Sequence, residues 1–268
     1  MSPSSSSQDW RQWATTQDGM FKRRVLFTQH RKGYRFSIDA VLLSDFAAQG
    51  QVGSALDLGC GCGVVLLLLA TLWKHKGAQP KMLGLEKQES LVALAHQNVK
   101  QNGFEGQVDI LQYDLRTPTT SPDYLQSKWD LLTFNPPYFY PQKGRMSPQP
   151  ERAAARHELH GNLEELITQS ATFLQEDGRF ALVYPHSGLQ RLEKVLSQAN
   201  LHVSRKRYVY PGPGEAPKLI LLEAQKHPQA TQVEEPLILH KSPQVYSEEA
   251  ELILQGRGLP ILSESLDK

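Results

Sequence analysis

A chain of 268 residues with 40% apolar and 21% charged side chains can bury one sizeable core, and its 17 prolines and 19 glycines punctuate turns without making a low-complexity tract. Formal net charge is only +1, but residues 1–36 hold seven Lys/Arg against Asp9 and Asp18, whereas residues 223–268 hold four basic against eight acidic side chains. The absence of an apolar run of about 18 residues, and of an apolar segment within the Ser-rich start, excludes a spanning helix and a visible secretory signal, so no membrane is expected and the location expected is cytoplasmic.

In chain order, residues 1–20 read as a flexible arm. Phe21–Gln29 is basic and β-prone, and a hairpin there is expected to turn near Arg31–Gly33. From Ser37 to Ala48, Ile38, Val41, Leu42 and Phe46 fall at helical spacing, with Ser37 as the N-cap. Ala55–Leu58 is a short apolar strand running into Gly59-Cys60-Gly61-Cys62-Gly63. Next come a helix from Val64 to about Trp73, a strand at Lys81–Glu86, a helix at Ser90–Asn102 closed by Gly103, and strands at Val108–Gln112 and Trp129–Phe134. Asn135-Pro136-Pro137-Tyr138 and a Pro/Gly/Arg-rich loop over 139–156 precede a helix at Asn162–Leu174, a strand at Arg179–Tyr184 and a helix at Gly188–Ala199. His202–Tyr210 and Lys218–Gln225 read as paired strands around Pro211-Gly212-Pro213-Gly214, and the tail adds an apolar run, Pro236–His240, and a short helix, Ser247–Leu254. Strands and helices alternating from 55 to 200 predict an α/β fold of βαβ units around a parallel sheet. Residues 21–226 are expected to form the domain, and 227–268 an extension packed on or near it.

Two segments carry chemistry. A strand running straight into a Gly-rich turn and a helix N-terminus holds a polar cofactor, because glycine allows close approach and the free N–H groups donate. The dinucleotide pattern G-x-G-x-x-G is not met, since Val64 and Leu66 occupy the positions for its third glycine; the stretch reads Asp57-Leu58-Gly59-Cys60-Gly61-Cys62-Gly63 instead. Its two cysteines, one glycine apart and with no nearby histidine, favour neither a disulfide nor a metal, and no metal is expected. Glu86 ends the next strand, where a carboxylate can accept both hydroxyls of a ribose, and Asp114 follows the third.

The second segment is Asn135-Pro136-Pro137-Tyr138. An amine conjugated to a ring or carbonyl is a poor nucleophile; the Asn135 side-chain oxygen and the Pro136 carbonyl can accept its two N–H bonds and aim its lone pair. The prolines fix the backbone, and Tyr138 offers a ring face for a flipped base.

With both segments in hand, the chain resembles the class I S-adenosylmethionine-dependent N-methyltransferases. More narrowly it resembles the bacterial family that methylates N6 of the adenosine beside the anticodon in valine tRNA. Tyr34–Leu43, Arg152–Glu158 and Tyr246–Glu249 carry the narrower likeness. The resemblance implies a Rossmann-like sheet, mostly parallel with an antiparallel final hairpin, and helices on both faces. It implies cofactor contacts from Asp57, Gly59, Gly61, Gly63, Glu86, Asp114 and Asn135, with Asp114 reaching the adenine amine. The base would meet Asn135, Pro136 and Tyr138, which are the catalytic candidates. RNA, foremost tRNA, is the expected partner, with no obligate protein partner. Basic residues expected to rim the cleft and contact phosphates are Lys22, Arg23, Arg24, Arg31, Lys32 and Arg35; Lys143, Arg145, Arg152 and Arg156; and Arg205, Lys206 and Arg207.

The same tetrapeptide suits a glutamine N5-methyltransferase acting on a release factor, but that group carries a helical domain ahead of the glycine turn, where only about 54 residues stand here. A guanine-N2 methyltransferase of ribosomal RNA, with Phe in place of Tyr138, a DNA adenine methyltransferase, and a catalytically inactive RNA-binding protein are the other readings.

Overall fold

A computed structural model describes residues 10–32, 35–116, 127–136 and 163–259. Its centre is a nine-stranded sheet. Five parallel strands form one half: β3 (Ser54–Leu58), β4 (Lys81–Glu86), β5 (Val108–Gln112), β6 (Trp129–Phe134) and β7 (Leu174–Pro185). The central ones, β3, β4 and β6, are largely buried along their length, as strands covered on both faces must be. The antiparallel hairpin expected at the end is β8 (His202–Tyr210) with β9 (Leu219–Gln225), and β9 also pairs antiparallel with β7.

Alternation along the strands sends side chains to two cores. On one face, α1 (Ile38–Ala47), α2 (Val64–His75) and α3 (Glu89–Gln101) pack; on the other, α4 (Leu163–Phe173) and α5 (Leu189–Gln198). Helix α2 is the most deeply set: Leu66, Leu67, Leu68 and Leu69 are all at 0% exposure, each contributing roughly 1.5–3 kcal/mol by leaving water. Across the sheet the order runs β8-β9-β7-β6-β3-β4-β5. From β3 the chain winds outwards to β4 and β5, then returns to the other side of β3 at β6. The carboxyl ends of β3 and β6 therefore flank the switch point, where the crossovers diverge and leave a crevice.

The N-terminal segment differs from the sequence expectation. Thr15–Met20 (β1), inside the stretch read as an arm, pairs antiparallel with Val25–His30 (β2), and a 3-10 turn at Trp10–Gln12 precedes it. The hairpin turns at Phe21–Arg24, not near Arg31–Gly33. Phe21, Lys22 and Arg23 all take left-handed φ, at 53°, 56° and 64°. Phe21 is buried and lies against Gly256, and this anchoring holds a backbone that side-chain-bearing residues otherwise avoid.

Beyond residue 226, β10 (Gln232–Val233) and β11 (Leu237–Ile238) add in parallel to the outer edge of β8. A small β12–β13 ribbon (His240–Ser242, Val245–Tyr246) leads into α6 (Glu248–Leu254), which packs on α1. Ser247 caps α6 by accepting the Ala250 N–H at 3.1 Å.

Candidate active site

The register of three strands builds the site. Leu58 pairs with Leu85 on one side and with Phe134 on the other. One residue further along, Gly59, Glu86 and Asn135 stand in a row at the carboxyl edge. Strand spacing of about 4.8 Å puts the Glu86 and Asn135 backbones about 10 Å apart with the glycine turn between them.

The turn is tightly tied. Gly59, Gly61 and Gly63 have φ of 67°, 58° and 84°, a region costly for any residue with a Cβ. A Cβ at Gly59 would meet nothing within 4 Å among the described residues. Cys60 N donates to Leu85 O at 2.9 Å, and Gly61 N donates to Glu86 Oε2 at 2.9 Å. Gly84 on β4 permits the approach, since a Cβ there would stand 2.7 Å from Cys60 Sγ. Glu86 accepts a second N–H, from Gln88, through Oε1 at 2.8 Å. These two bonds orient the carboxylate beside the glycine turn.

Asp57 lies beneath the turn, 2% exposed, and its Oδ1 accepts the Thr133 hydroxyl at 2.7 Å across the β3–β6 pair. Burial pushes its carboxyl up to about 7; the Thr133 bond opposes the rise and neighbouring Glu86 adds to it. Two acidic side chains, one of them desolvated and without a cationic partner among the described residues, make a seat suited to a cation bearing hydroxyls.

Asp114 is placed differently from its expected role. Its carboxylate accepts Arg116 Nε at 2.9 Å and Nη2 at 2.6 Å, and Lys87 Nζ is 3.4 Å away. The Arg116 guanidinium holds this carboxyl well below the usual carboxylate range. It is an anion already gripped by two cations, not an open acceptor.

Asn135 and the buried Pro136 follow β6 directly. Tyr138, Lys143, Arg145, Arg152 and Arg156 lie outside the described residues.

Among the described residues, the basic side chains expected at the rim stand at separate places. Arg31 and Lys32 are exposed at the base of the hairpin, on the side where Arg11 pairs with Glu89 at the start of α3. Lys22, Arg23 and Arg24 sit at its tip, beside the far end of α3, where Leu26 bonds Asn102; six strand residues separate the two groups by about 20 Å. Arg35, half-buried against the hairpin, is paired with Asp18 at 2.9 Å and donates to Thr16 Oγ1 at 2.7 Å.

Arg205 and Arg207 correct the expectation outright: both are buried. Arg205 bonds Glu223 at 3.0 Å and Glu234 at 2.9 Å, donates to Phe46 O, and lies 3.8 Å over the Phe46 ring. Arg207 bonds Glu249 at 2.7 Å, and Lys206 reaches Glu193 at 3.4 Å. Arg205 and Arg207 thus neutralise Glu234 and Glu249 of the extension and are not available to phosphate.

Thr133 and Asn98 escaped the sequence reading. Asn98 carried a signal, being a polar residue in the apolar stripe Leu91, Leu94, Ala95, Val99 of α3; Thr133 carried none until strand register placed it opposite Asp57.

Against known proteins, residues 37–210 match the model of the methyltransferase small domain family. The chain belongs to that family. This family member is 28% identical over 227 residues to the tRNA1(Val) (adenine(37)-N6)-methyltransferase of Flavobacteriaceae bacterium strain 3519-10, covering 85% of this chain and 92% of that one. Its fold is shared with a predicted O-methyltransferase from Agrobacterium tumefaciens, at TM-score 0.62 and 17% identity over 82% of this chain and 96% of that one. It is shared as well with a Listeria monocytogenes protein assigned to the class I S-adenosylmethionine-dependent methyltransferases, at TM-score 0.52 and 17% identity over 80% and 67%. The chain is an S-adenosylmethionine-dependent methyltransferase.

Proposed function

We propose that the enzyme methylates the exocyclic N6 amine of adenine in tRNA, at the position beside the anticodon, in the cytoplasm. The observation that carries this reading is the row of Gly59, Glu86 and Asn135 across three adjacent strand ends. In that row the glycine turn stands next to the residue that opens Asn-Pro-Pro-Tyr. The relatives named as tRNA1(Val) adenine-N6 methyltransferases support the choice of acceptor.

The cofactor, when bound, supplies an electrophilic methyl carbon. Asp57 and Glu86 then provide the negative potential and the hydroxyl acceptors that hold it, with the glycine turn allowing close approach. Asn135 Oδ1 and the Pro136 carbonyl accept the two N–H bonds of the amine, which favours a pyramidal nitrogen and turns its lone pair towards the methyl group. Tyr138 stacks on the base. Positioning and polarisation supply the catalysis; no side chain serves as nucleophile. RNA enters past Arg31 and Lys32, and only an RNA long enough to follow the hairpin for about 20 Å also meets Lys22 and Arg23.

The test is incubation of total tRNA, ribosomal RNA and protein with methyl-labelled S-adenosylmethionine, followed by nucleoside analysis. N6-methyladenosine in tRNA is the expected product. Label confined to protein glutamine or to guanosine of ribosomal RNA overturns the proposal.

A further inference from the structure

Strand β2 has β1 on one edge only, and its other edge is met by a helix. Asn102, the C-cap of α3, accepts the Leu26 N–H through Oδ1 at 2.9 Å and donates Nδ2 to Leu26 O at 2.8 Å. Asn98 does the same two residues along the strand, accepting Thr28 N at 2.8 Å and donating to Thr28 O at 3.1 Å. Four residues of helix advance about 6 Å and two residues of strand about 6.7 Å. Asparagines at i and i+4 therefore match strand residues at i and i+2, and two side-chain amides replace a neighbouring strand.

Only Asn98 continues inwards. Its Nδ2 also donates to the carbonyl of Cys62, between Gly61 and Gly63, at 2.9 Å, and its Oδ1 accepts Gln101 Nε2 at 2.8 Å. Asn98 is 0% exposed, and with two N–H groups and two lone-pair directions every bonding position of its amide is used. The Cys62 carbonyl is thereby fixed, and the peptide plane it shares with Gly63 with it.

We infer that Asn98 is a positioning residue for the cofactor, joining strand β2 of the hairpin to the glycine turn so that displacement of either is felt by the other. The inference rests on the glycine turn being the cofactor seat. Its consequence is that the hairpin carrying Arg31 and Lys32 is held in register with the loop that holds the methyl donor.

The experiment compares Asn98→Asp with Asn102→Asp in the full chain. Both put an oxygen where a strand carbonyl needs a donor, and each loosens the strand at its own contact, read as faster amide exchange at Leu26 for Asn102→Asp and at Thr28 for Asn98→Asp. Only Asn98→Asp also loses the Cys62 bond. Titration calorimetry is expected to show its S-adenosylmethionine Kd raised about tenfold or more, the equivalent of one lost hydrogen bond, while Asn102→Asp stays within about twofold of wild type. Equal Kd values for Asn98→Asp and wild type overturn the inference, as does an equal loss in both variants. Glu86→Gln, which alters the seat directly, separates the two levels: if it weakens binding and Asn98→Asp does not, the coupling alone fails, and if neither weakens binding, the seat fails as well. Should Asn98→Asp not fold, Asn98→Ala is judged by the same criterion. In wild-type protein, saturating cofactor is expected to slow exchange of the Thr28 amide, and an unchanged Thr28 amide alongside a protected glycine turn overturns the coupling.

Discussion

Replacing Asp57 by asparagine should make the ligand-free enzyme more stable and a worse binder of its cofactor. Asp57 is buried, accepts the Thr133 hydroxyl and has the Glu86 charge nearby, and burial pushes its carboxyl up to about 7 from an ordinary 3.8. A carboxyl raised on folding stabilises the fold fully while it is protonated in both states, below pH 4; that contribution is lost as pH rises through the folded value. Each unit in that window is worth about 1.4 kcal/mol. The ligand-free wild type should therefore lose about 3 kcal/mol relative to Asp57→Asn by pH 6, levelling near 4 kcal/mol above pH 7. Urea unfolding of both proteins at pH 5, 6, 7 and 8 measures the difference. The cationic cofactor should reverse the ranking, because it needs the ionised form: wild-type affinity should rise with pH up to about 7 and that of Asp57→Asn should be flat. If Asp57→Asn is the less stable protein at pH 8, or if wild-type affinity is independent of pH, the account of Asp57 is wrong.

Asn135→Ala should lower methyl transfer at least about a hundredfold, the scale of one lost transition-state hydrogen-bonding group, with cofactor affinity in calorimetry little changed. Arg205→Ala should destabilise the fold by about 3–5 kcal/mol, because it removes a buried partner of Glu223 and Glu234; denaturant titration reads this, and RNA affinity of the folded protein should not move. Reversing the charges of Arg31 and Lys32 should reduce the slope of log K against log salt for tRNA by about 2, and by more than the same change at Arg23 and Arg24. The opposite order would place the RNA footing at the hairpin tip.

The sheet was legible because its strands are short apolar runs separated by helical periodicity, and Lys81–Glu86, Val108–Gln112 and Trp129–Phe134 fall where the pattern puts them. The glycine turn and Asn135 were legible because each follows a strand without a gap. The hairpin turn was not. Gly33 looks like the residue to turn on, whereas the chain turns at Phe21, Lys22 and Arg23, whose left-handed backbone is held by packing of Phe21 against a glycine more than two hundred positions away. Arg205-Lys206-Arg207 misled for a related reason. It reads as a basic patch until Glu223, Glu234 and Glu249 are folded against it, and the charge asymmetry between the ends of the chain turns out in part to be internal neutralisation.

The two short strands laid along β8 give the tail a protective duty. A chain shortened before residue 230 would leave β8 as a nine-residue border with unpaired amides and carbonyls, with Arg207 stripped of Glu234 and Glu249 and Arg205 of Glu234. Such a border is an invitation to self-association. Insolubility of such a truncated protein would then report an uncovered sheet margin rather than a failure of the catalytic half to fold.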